Sequence, residues 1–285
     1  MAANNEKSYQ ERILKVQIYI QNHLNDSLSL ELLADVAHFS PYHFHRIFTA
    51  YTGESVKSHL RRLRLERASR DLLFTELTLI QISDRAGYDT QQSFHRAFKE
   101  TYGITPTEFR DQKQEKLISL VQKNYSTEPT PSVEIKKIDP IPVAFVRHIG
   151  SYDHILDAWT HLANEVGIIK LLSDKTKKIS IPYDAAELTP TDKLRYDACI
   201  SLDEIPDFKP SGKVGIQEIK GGKYAIITHK GPIEKIDATY HILFGLWLPK
   251  SGYEPDDQPN FMLHRNTPFI VKPDELLTDI YLPIK

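Results

Sequence analysis

The chain has 285 residues, of which 40% are hydrophobic and 26% are charged, and its formal net charge is −2. This length suggests two domains of ordinary size, and the composition is typical of a soluble globular protein. No apolar stretch approaches the roughly 18 residues of a membrane span, and the N-terminus lacks the apolar core of a secretory signal. The single cysteine, Cys199, excludes an internal disulfide and a cysteine-based zinc site. We therefore expect a cytoplasmic protein.

The first half of the chain contains a stretch that occurs twice. An amphipathic helix is predicted first, over 9–24. Phe-His-Arg-Ile-Phe then stands at 44–48 and Phe-His-Arg-Ala-Phe at 94–98, an offset of 50 that also pairs Leu32 with Ile82. An internal repeat of this kind sets the architecture. Each copy has two short helical patterns, which cover 29–37, 41–51, 79–86 and 90–101.

In the second helix of each copy the aromatic residues stand four positions apart, as Phe44 and Phe48 do. This spacing places both on one helix face, where they bury together. The neighbouring His45 and Arg46 should then point outward, as should their counterparts in the second copy. A short helix with a buried aromatic face and an exposed polar face, preceded by another short helix, indicates a helix-turn-helix motif.

Residues 54–74 form one long predicted helix with six basic and three acidic residues. At about 1.5 Å per residue it spans about 30 Å, close to the roughly 34 Å between successive major-groove faces of DNA. It could therefore hold two recognition helices in adjacent grooves, although a basic face is often only solvated. We expect substitution of Arg64 or Arg67 to weaken DNA binding less selectively than changes in the recognition helices. A last helix is predicted over 105–122.

The exposed polar residues of the two second helices are candidates for reading DNA. Arg46 and Arg96 suit base or phosphate contacts, and Gln91 and Gln92 can bond adenine bidentately. Tyr42 offers a ring for a thymine methyl group or a sugar. The histidines of the two copies are separated by a long helix and have no spaced carboxylate or thiol partner, so a metal site is not expected.

Residues 9–112 resemble the DNA-binding domain of the AraC/XylS regulators. The resemblance is carried by SLELLADVAHFSPYHFHRIFTAYTG at 29–53, VKSHLRRLRLERA at 56–68 and ISDRAGYDTQQSFHRAFKETYGITPTEFR at 82–110. It implies a seven-helix fold that binds an asymmetric DNA site across two grooves. The base-reading positions that it implies are Tyr42, His45, Arg46, Gln91, Gln92, Ser93, His95 and Arg96. Members that transfer methyl groups to cysteine are not models, because Cys199 lies outside this domain.

A polar, proline-rich segment at 124–132 indicates an interdomain linker. The predicted domains are therefore 1–123, which binds DNA, and 133–285. The second domain begins with alternating strands and has its own repeat, offset by 81–82. The matched pairs of segments are 143–150 with 224–231, 152–166 with 233–247, and 197–200 with 279–282. We predict an α+β domain of two strand-helix-strand-strand halves about a pseudo-twofold axis, with a ligand-sized concavity facing the helices.

This half lacks a Gly-rich phosphate loop and a nucleophile with spaced His and Asp partners, so we predict no enzyme activity, no cofactor and no metal. A triad formed only in space is left open. The segments IPYDAAELTPTDKLRYDACISL at 181–202, IQEIKGGKYAIITHKGPIEKI at 216–236 and ELLTDIYLPI at 275–284 are similar to the GyrI-like effector-binding domain. The order of the two domains resembles that of the right-origin-binding protein.

The GyrI-like resemblance implies an aromatic pocket that takes cationic amphipathic compounds, with a Glu after the Phe of a Phe-Glu-x-Tyr strand facing it. Here the strand reads Phe261-Met262-Leu263-His264, so Met262 replaces the Glu. This departure disfavours both a preference for cations and the hydrolase activity of some members. Ile181, Tyr183, Met262 and His264 are expected to share one face of the sheet. The candidate ligand-binding residues are Phe145, Tyr152, Trp159, Ile181, Tyr183, Trp247, Met262, His264 and Tyr281.

The sequence thus predicts a sequence-specific DNA-binding transcription regulator whose C-terminal domain senses a small aromatic or amphipathic molecule. Its predicted partners are double-stranded DNA, the effector and RNA polymerase. Two alternatives stay open. One is a GyrI-like hydrolase fused to a DNA-binding module, and the other is a DNA-binding protein whose C-terminal domain only binds other proteins. The pattern specifies neither the target sequence nor whether the protein activates or represses.

Overall fold

A computed structural model describes residues 2–112 and 132–285, apart from positions 174, 187, 204, 206, 211 and 269. Nearly all of the predicted linker 124–132, and the predicted helix 105–122 beyond residue 112, lie outside the described residues. The predicted domain limits therefore stay predictions. Within the described part, every helix is too short or too polar to cross a membrane.

Two compact units make up the chain. The first consists mainly of Met1–Leu72 and Glu76–Phe109, and the second mainly of Arg110–Lys209 and Ile216–Lys285. The region up to residue 112 is helical, as predicted. Its helices are α1 (Ala2–Asn22), α2 (Leu30–Val36), α3 (Pro41–Thr52), α4 (Val56–Phe74), α5 (Leu79–Arg85), α6 (Gln91–Tyr102) and α7, described over 106–112.

The same capping chemistry bounds both helix-turn-helix motifs, α2–α3 and α5–α6. Side-chain oxygens of Ser40 and Thr90 accept the backbone N–H three residues on, which satisfies one free donor of each recognition helix. Gly53 and Gly103 end these helices in the left-handed conformation that glycine adopts readily. Both recognition helices therefore start and stop at fixed points set by local sequence.

The offset between the copies is 50 in the recognition helices but 49 in the helices before them. The N-caps of α2 and α5 are Ser29 and Thr78, and buried Leu33 matches buried Ile82. The predicted pairing of Leu32 with Ile82 is therefore wrong by one residue. The second turn is one residue longer, and this insertion restores the offset of 50 at the recognition helix.

Aromatic side chains on α3 and α6 form the centres of two small cores. Phe44 and Phe48 are fully buried with their ring centroids 5.5 Å apart, and Phe94 and Phe98 repeat the arrangement at 5.7 Å. The predicted i, i+4 aromatic face is confirmed in both copies. Its burial leaves the opposite face of each recognition helix free for function.

The second unit is built on one eight-stranded antiparallel sheet. Its strands are β1 (Glu134–Ile138), β2 (Ile141–Ile149), β3 (Lys178–Pro182), β4 (Arg195–Ser201), β5 (Val214–Ile219), β6 (Gly222–Lys230), β7 (Phe261–His264) and β8 (Leu277–Pro283). The strand order is β1-β6-β8-β7-β3-β4-β2-β5. Exchanging β1–β4 with β5–β8 leaves this order unchanged. The pairing of β3 with β7 thus joins two equivalent half-sheets, and we call it the seam.

Each half contributes its first strand to the other half-sheet. β1 is followed at once by β2 in the chain but pairs with β6, and β5 is followed by β6 but lies beside β2. The bend between β1 and β2 meets the bend between β5 and β6. A Cβ built on Gly221 would lie 2.8 Å from Pro140 Cδ and 3.0 Å from the Ile138 carbonyl oxygen. Only glycine fits at this close approach.

Helices cover one face of this sheet. The first half carries α8 (Leu156–Val166) and α9 (Ile168–Leu172), and the second carries α10 (Ile236–His241), a π-helical turn (Ile242–Trp247) and α11 (Leu248–Ser251). The predicted helix 233–247 therefore begins with a short 3-10 turn, contains a π turn and extends four residues further. Such π turns occur mostly as local insertions, often near functional sites.

Candidate functional site

The exposed face of α3 carries the residues that the sequence predicted to read DNA. Tyr42 is 66% exposed, and His45 and Arg46 are also exposed. Arg46 Nη1 donates to the Tyr42 hydroxyl at 3.0 Å, and its guanidinium carbon lies 5.7 Å from the Tyr42 ring centroid. These two side chains therefore form a pair rather than two independent contacts.

The second recognition helix, α6, presents a different set. Gln91, Gln92 and Arg96 are exposed at its N-terminal end. Ser93 is half-buried and donates to the Thr90 carbonyl at 2.8 Å, so its hydroxyl is engaged within the helix cap. The expectation that His95 points outward is wrong in part. Its Nε2 atom is buried without a hydrogen-bond partner in the described part of the chain, because the ring leans toward Phe94.

The arginines of α4 mostly hold the first unit together. Arg64 donates to the carbonyls of Leu24 and Asp26, beyond the end of α1. Arg67 is only 6% exposed and donates to the Arg85 carbonyl. The expectation that substitution of Arg64 or Arg67 weakens DNA binding less selectively stays a prediction. Counting charges along α4 does not reveal which of them are buried.

A buried ionic cluster joins α4 to the end of the first motif. Glu54 accepts from Arg62 at 2.6 Å and contacts His59 Nδ1 at 2.8 Å, and Glu66 also pairs with Arg62. Burial alone would raise the Glu54 pKa, but the bonds from His59 and Arg62 outweigh it and lower the pKa to about 2. The cluster is structural and leaves the DNA-facing surface free.

In the second unit, strand register decides which candidate ligand residues share a face. Ser180 lies opposite Met262 across the seam, so both point to the same side. Ile181 and Tyr183 alternate to the other side, and the expectation that they share a face with Met262 and His264 is wrong. A repeat alignment one residue out of register moves every side chain to the opposite face.

Phe145 and Tyr281 also lie on the face away from the helices. Phe145 is fully buried, and the Tyr281 ring stacks on Phe261 with centroids 4.5 Å apart. On the same face Arg147 pairs with buried Asp197 through two 2.8 Å bonds, and Tyr183 donates to Asp197 at 2.8 Å. These contacts explain the positions of Phe145, Tyr183 and Tyr281 by packing and ion pairing.

The helix-covered face contains a chain of hydrogen bonds that crosses the seam. Trp159 Nε1 donates to the Tyr196 hydroxyl at 2.9 Å, and that oxygen lies 2.6 Å from Ser180 Oγ. Ser180 Oγ lies 2.6 Å from His264 Nε2, and His264 Nδ1 lies 3.3 Å from Thr278 Oγ1. We call these five residues the seam chain. It links α8, β3 and β4 on one side of the seam to β7 and β8 on the other.

The donors of the seam chain can be assigned from chemistry. The indole N–H only donates, so the Tyr196 hydroxyl accepts from Trp159. We assign the Tyr196 O–H as the donor to Ser180 Oγ. Ser180 then donates to His264 Nε2, which leaves the His264 proton on Nδ1. Burial lowers the His264 pKa to about 4 and raises the Tyr196 pKa to about 12, so both are uncharged near pH 7.

The second half supplies an apolar side to the same region. Met262 packs with Ile227, Ile280 and residues of α10 in one buried cluster. Tyr240, which stands where the first half has Trp159, accepts a 2.8 Å hydrogen bond from Asn260. The region around the seam is therefore polar toward the first half and apolar toward the second. No grouping of His, Cys, Asp and Glu able to hold a metal occurs among the described residues.

Two other predicted ligand residues lie on the helical elements. The Tyr152 hydroxyl donates to the Asp184 carbonyl at 2.7 Å, and its ring lies 6.2 Å from that of Tyr196. Trp247 is half-buried in the π turn, with its ring parallel to that of Tyr253. The structure thus brings Trp159, Met262 and His264 to the seam, with Tyr152 beside Tyr196. The residues that sequence reasoning missed are Ser180, Tyr196, Tyr240, Asn260 and Thr278.

Two helix-turn-helix motifs lie in one helical unit, and a duplicated α+β unit follows them in the chain. Two family models match: a helix-turn-helix domain over 33–112 and the GyrI-like small molecule binding domain over 131–285. The second match covers more than half of the chain, which therefore belongs to the GyrI-like family. The predicted combination of an AraC-type domain with a GyrI-like domain is confirmed.

Relatives with regulator names match about a third of the chain. YbfP of Bacillus subtilis, an uncharacterized HTH-type transcriptional regulator, is 36% identical over 102 residues, 36% of this chain and 35% of that protein. The right origin-binding protein of Escherichia coli is 33% identical over 93 residues, 33% of this chain and 32% of that protein. The HTH-type transcriptional activator AarP of Providencia stuartii is 32% identical over 98 residues, 34% of this chain and 73% of that protein. The match thus spans about a third of the first two.

Proposed function

We propose that this regulator binds an uncharged aromatic or amphipathic small molecule beside the seam, and that binding changes how it acts on DNA. The observation that carries the proposal is the seam chain. Its five side chains are uncharged near pH 7 and lie next to the apolar cluster around Met262. A ligand with an aromatic body and one neutral polar group would match this division.

A cation is the less favourable ligand at this place. Desolvating a charge is costly unless a paired charge or aromatic faces replace water. Met262 stands where the family resemblance implies a Glu, and methionine offers only a soft apolar surface. Ser180, which lies opposite Met262 across the seam, is neutral, and so is His264, two residues along the same strand as Met262.

The hydrolase alternative gains one feature, because Ser180 and His264 meet at hydrogen-bond distance. However, Ser180 is fully buried, and the third member of the chain is the Thr278 hydroxyl rather than a carboxylate. A lowered His264 pKa also makes a weak base. These features favour sensing over catalysis. They do not address the other alternative, a C-terminal domain that only binds proteins, and the ligand titration below tests it.

The DNA-binding part acts, in this proposal, through both recognition helices of a single chain. Its contacts come from the exposed side chains Tyr42, His45, Arg46, Gln91, Gln92 and Arg96, with RNA polymerase as the further partner in the cytoplasm. Two motifs in one chain need no dimer to span two grooves, so one chain should protect about 20 base pairs.

Calorimetry on the full-length chain tests the ligand class. Triphenylphosphine oxide is neutral, and tetraphenylphosphonium is a cation of similar size. We expect the wild type to bind the neutral compound more tightly. Met262→Glu should strengthen binding of the cation, whereas Met262→Gln, the matched control, should not. Tight wild-type binding of the cation that Met262→Glu leaves unchanged would contradict the proposal, and binding of neither compound would favour a domain that only contacts proteins.

A further inference from the structure

Tyr42 and Arg46 restrain each other on the surface of α3. They stand one helical turn apart, where side chains at i and i+4 meet. One guanidinium N–H donates to the Tyr42 hydroxyl, and the guanidinium lies within the roughly 6 Å range of a cation–π contact with its ring. Because Tyr42 is 66% exposed, the surrounding core does not hold the pair in place.

The hydrogen bond leaves a defined set of donors unused. Arginine has five N–H donors in a planar fork, and the bond to Tyr42 uses one of those on Nη1. The edge formed by Nε–H and Nη2–H stays available, and two parallel donors of this kind match O6 and N7 of guanine. The Tyr42 hydroxyl accepts from Arg46, so its own proton is available for a phosphate oxygen.

The second motif has no equivalent restraint. Gln92 stands four residues before Arg96, at the position that corresponds to Tyr42, and both are exposed. No hydrogen bond joins these two side chains in the part of the chain that the structure describes. The contrast makes the Tyr42–Arg46 pair a property of the first motif rather than of recognition helices in this protein generally.

The geometry points to Tyr42 as a positioning residue that holds Arg46 for bidentate recognition of a guanine in the major groove. An arginine side chain loses rotamer entropy when it is held in one geometry, and the pair removes part of that entropy before DNA binds. Tyr42 itself contacts the DNA backbone through its hydroxyl proton. It thus supports base readout without touching the base.

The test uses the full-length chain and a duplex selected by it from a randomised pool. Each guanine is replaced in turn by 7-deazaguanine, which lacks N7. At one guanine the wild type should lose roughly tenfold in affinity, the loss of one charge-assisted hydrogen bond. Arg46→Ala should be insensitive to that replacement. Tyr42→Phe keeps the ring and should reduce the preference for guanine over adenine at that position roughly fivefold, because Arg46 loses the hydrogen bond that restrains it.

Tyr9→Phe, the same change at an exposed tyrosine of α1, is the matched control and should leave the preference at that guanine unchanged. Thermal unfolding should confirm that all variants fold, since each change is at an exposed position. Sensitivity to 7-deazaguanine that persists in Arg46→Ala would overturn the guanine assignment. A Tyr42→Phe variant with full guanine preference would overturn the positioning role. An equal loss on selected and random duplexes would also overturn it, because Tyr42 would then only contact phosphate.

Discussion

The two units of this protein use internal duplication in opposite ways. In the first, each copy keeps its own aromatic core, centred on Phe44 and Phe48 or on Phe94 and Phe98. In the second, the copies exchange a strand and share one sheet. Separate copies can diverge in what they present to a partner, whereas merged copies can diverge only along the boundary that they share.

The differences between copies occur where this reasoning places them. In the first unit, Tyr42 of the first motif corresponds to Gln92 of the second, on the exposed face. In the second unit, Ser180 corresponds to Met262, directly across the seam. Trp159 likewise corresponds to Tyr240. Each duplicated unit therefore has one of its asymmetries at its proposed functional surface, while the N-caps and glycine C-caps of the recognition helices are kept in both motifs.

The largest expected effect comes from a residue that the charge pattern alone would place on DNA. Arg67→Ala should lower the free energy of unfolding by about 2–4 kcal/mol, because it removes a buried side chain and leaves the Arg85 carbonyl without its donor. Arg96→Ala, at an exposed position, should leave unfolding unchanged and weaken specific DNA binding by about 1–3 kcal/mol. Urea unfolding and salt-controlled DNA titrations measure the two. Unchanged stability of Arg67→Ala would show that α4 is not held by its arginines.

The next largest effect on stability is expected where the β1–β2 bend meets the β5–β6 bend. Gly221→Ala should destabilise the second unit by about 1–3 kcal/mol, because the added methyl group overlaps Pro140 and the Ile138 carbonyl. In a Pro140→Ala background the same change should cost less, since the ring carbon is gone. Chemical unfolding of the four variants gives the coupling. A Gly221→Ala protein as stable as the wild type would mean that the strands separate easily at this point.

Substitutions in the turns of the two motifs should change stability in opposite directions, because the positive-φ position has glycine in one turn and histidine in the other. Gly87 has φ of +75°, and an added Cβ would lie 2.6 Å from Arg64 Nη1. This guanidinium is held in place because its Nε and Nη2 atoms donate to backbone carbonyls. Gly87→Ala should cost about 1–2 kcal/mol. His38, at φ of 53°, occupies the same place in the first turn, so His38→Gly should be neutral or stabilising by up to about 1 kcal/mol. Thermal unfolding of both variants decides, and a destabilising His38→Gly would contradict the matched geometry.

The smallest expected effect is a pH dependence of stability that arises in the first copy and not in the second. The Glu54 pKa is lowered from 4.5 to about 2, so its stabilising contribution is complete above about pH 4.5 and is lost as pH falls toward 2. The second copy has Ile104 at this position. Glu54→Gln should therefore flatten the fall in stability between pH 4.5 and 2 relative to the wild type, as measured by urea unfolding at several pH values. Parallel curves would exclude Glu54 as the source.

Most of the fold could be predicted from sequence because it follows from interactions between residues that are close in the chain. Ser40, Thr90 and the two glycine caps fixed the recognition helices within a residue or two, because capping depends on neighbours in the chain. The assignments that failed depended on contacts distant in sequence. The burial of Arg67 and the inward lean of His95 follow from packing between helices. The seam chain was missed because Ser180 and Tyr196 look like ordinary strand residues until β3 and β7 are paired.

A single-round transcription assay tests the central claim, that a ligand beside the seam changes how the regulator acts on DNA. The purified chain, RNA polymerase and a promoter carrying the selected site are titrated with triphenylphosphine oxide. The account predicts that transcript yield changes by at least about fivefold, the lower range of typical coupling energies, with a midpoint equal to the calorimetric dissociation constant. Trp159→Ala should shift that midpoint upward. Saturating ligand that binds the chain but leaves transcript yield unchanged would contradict the account.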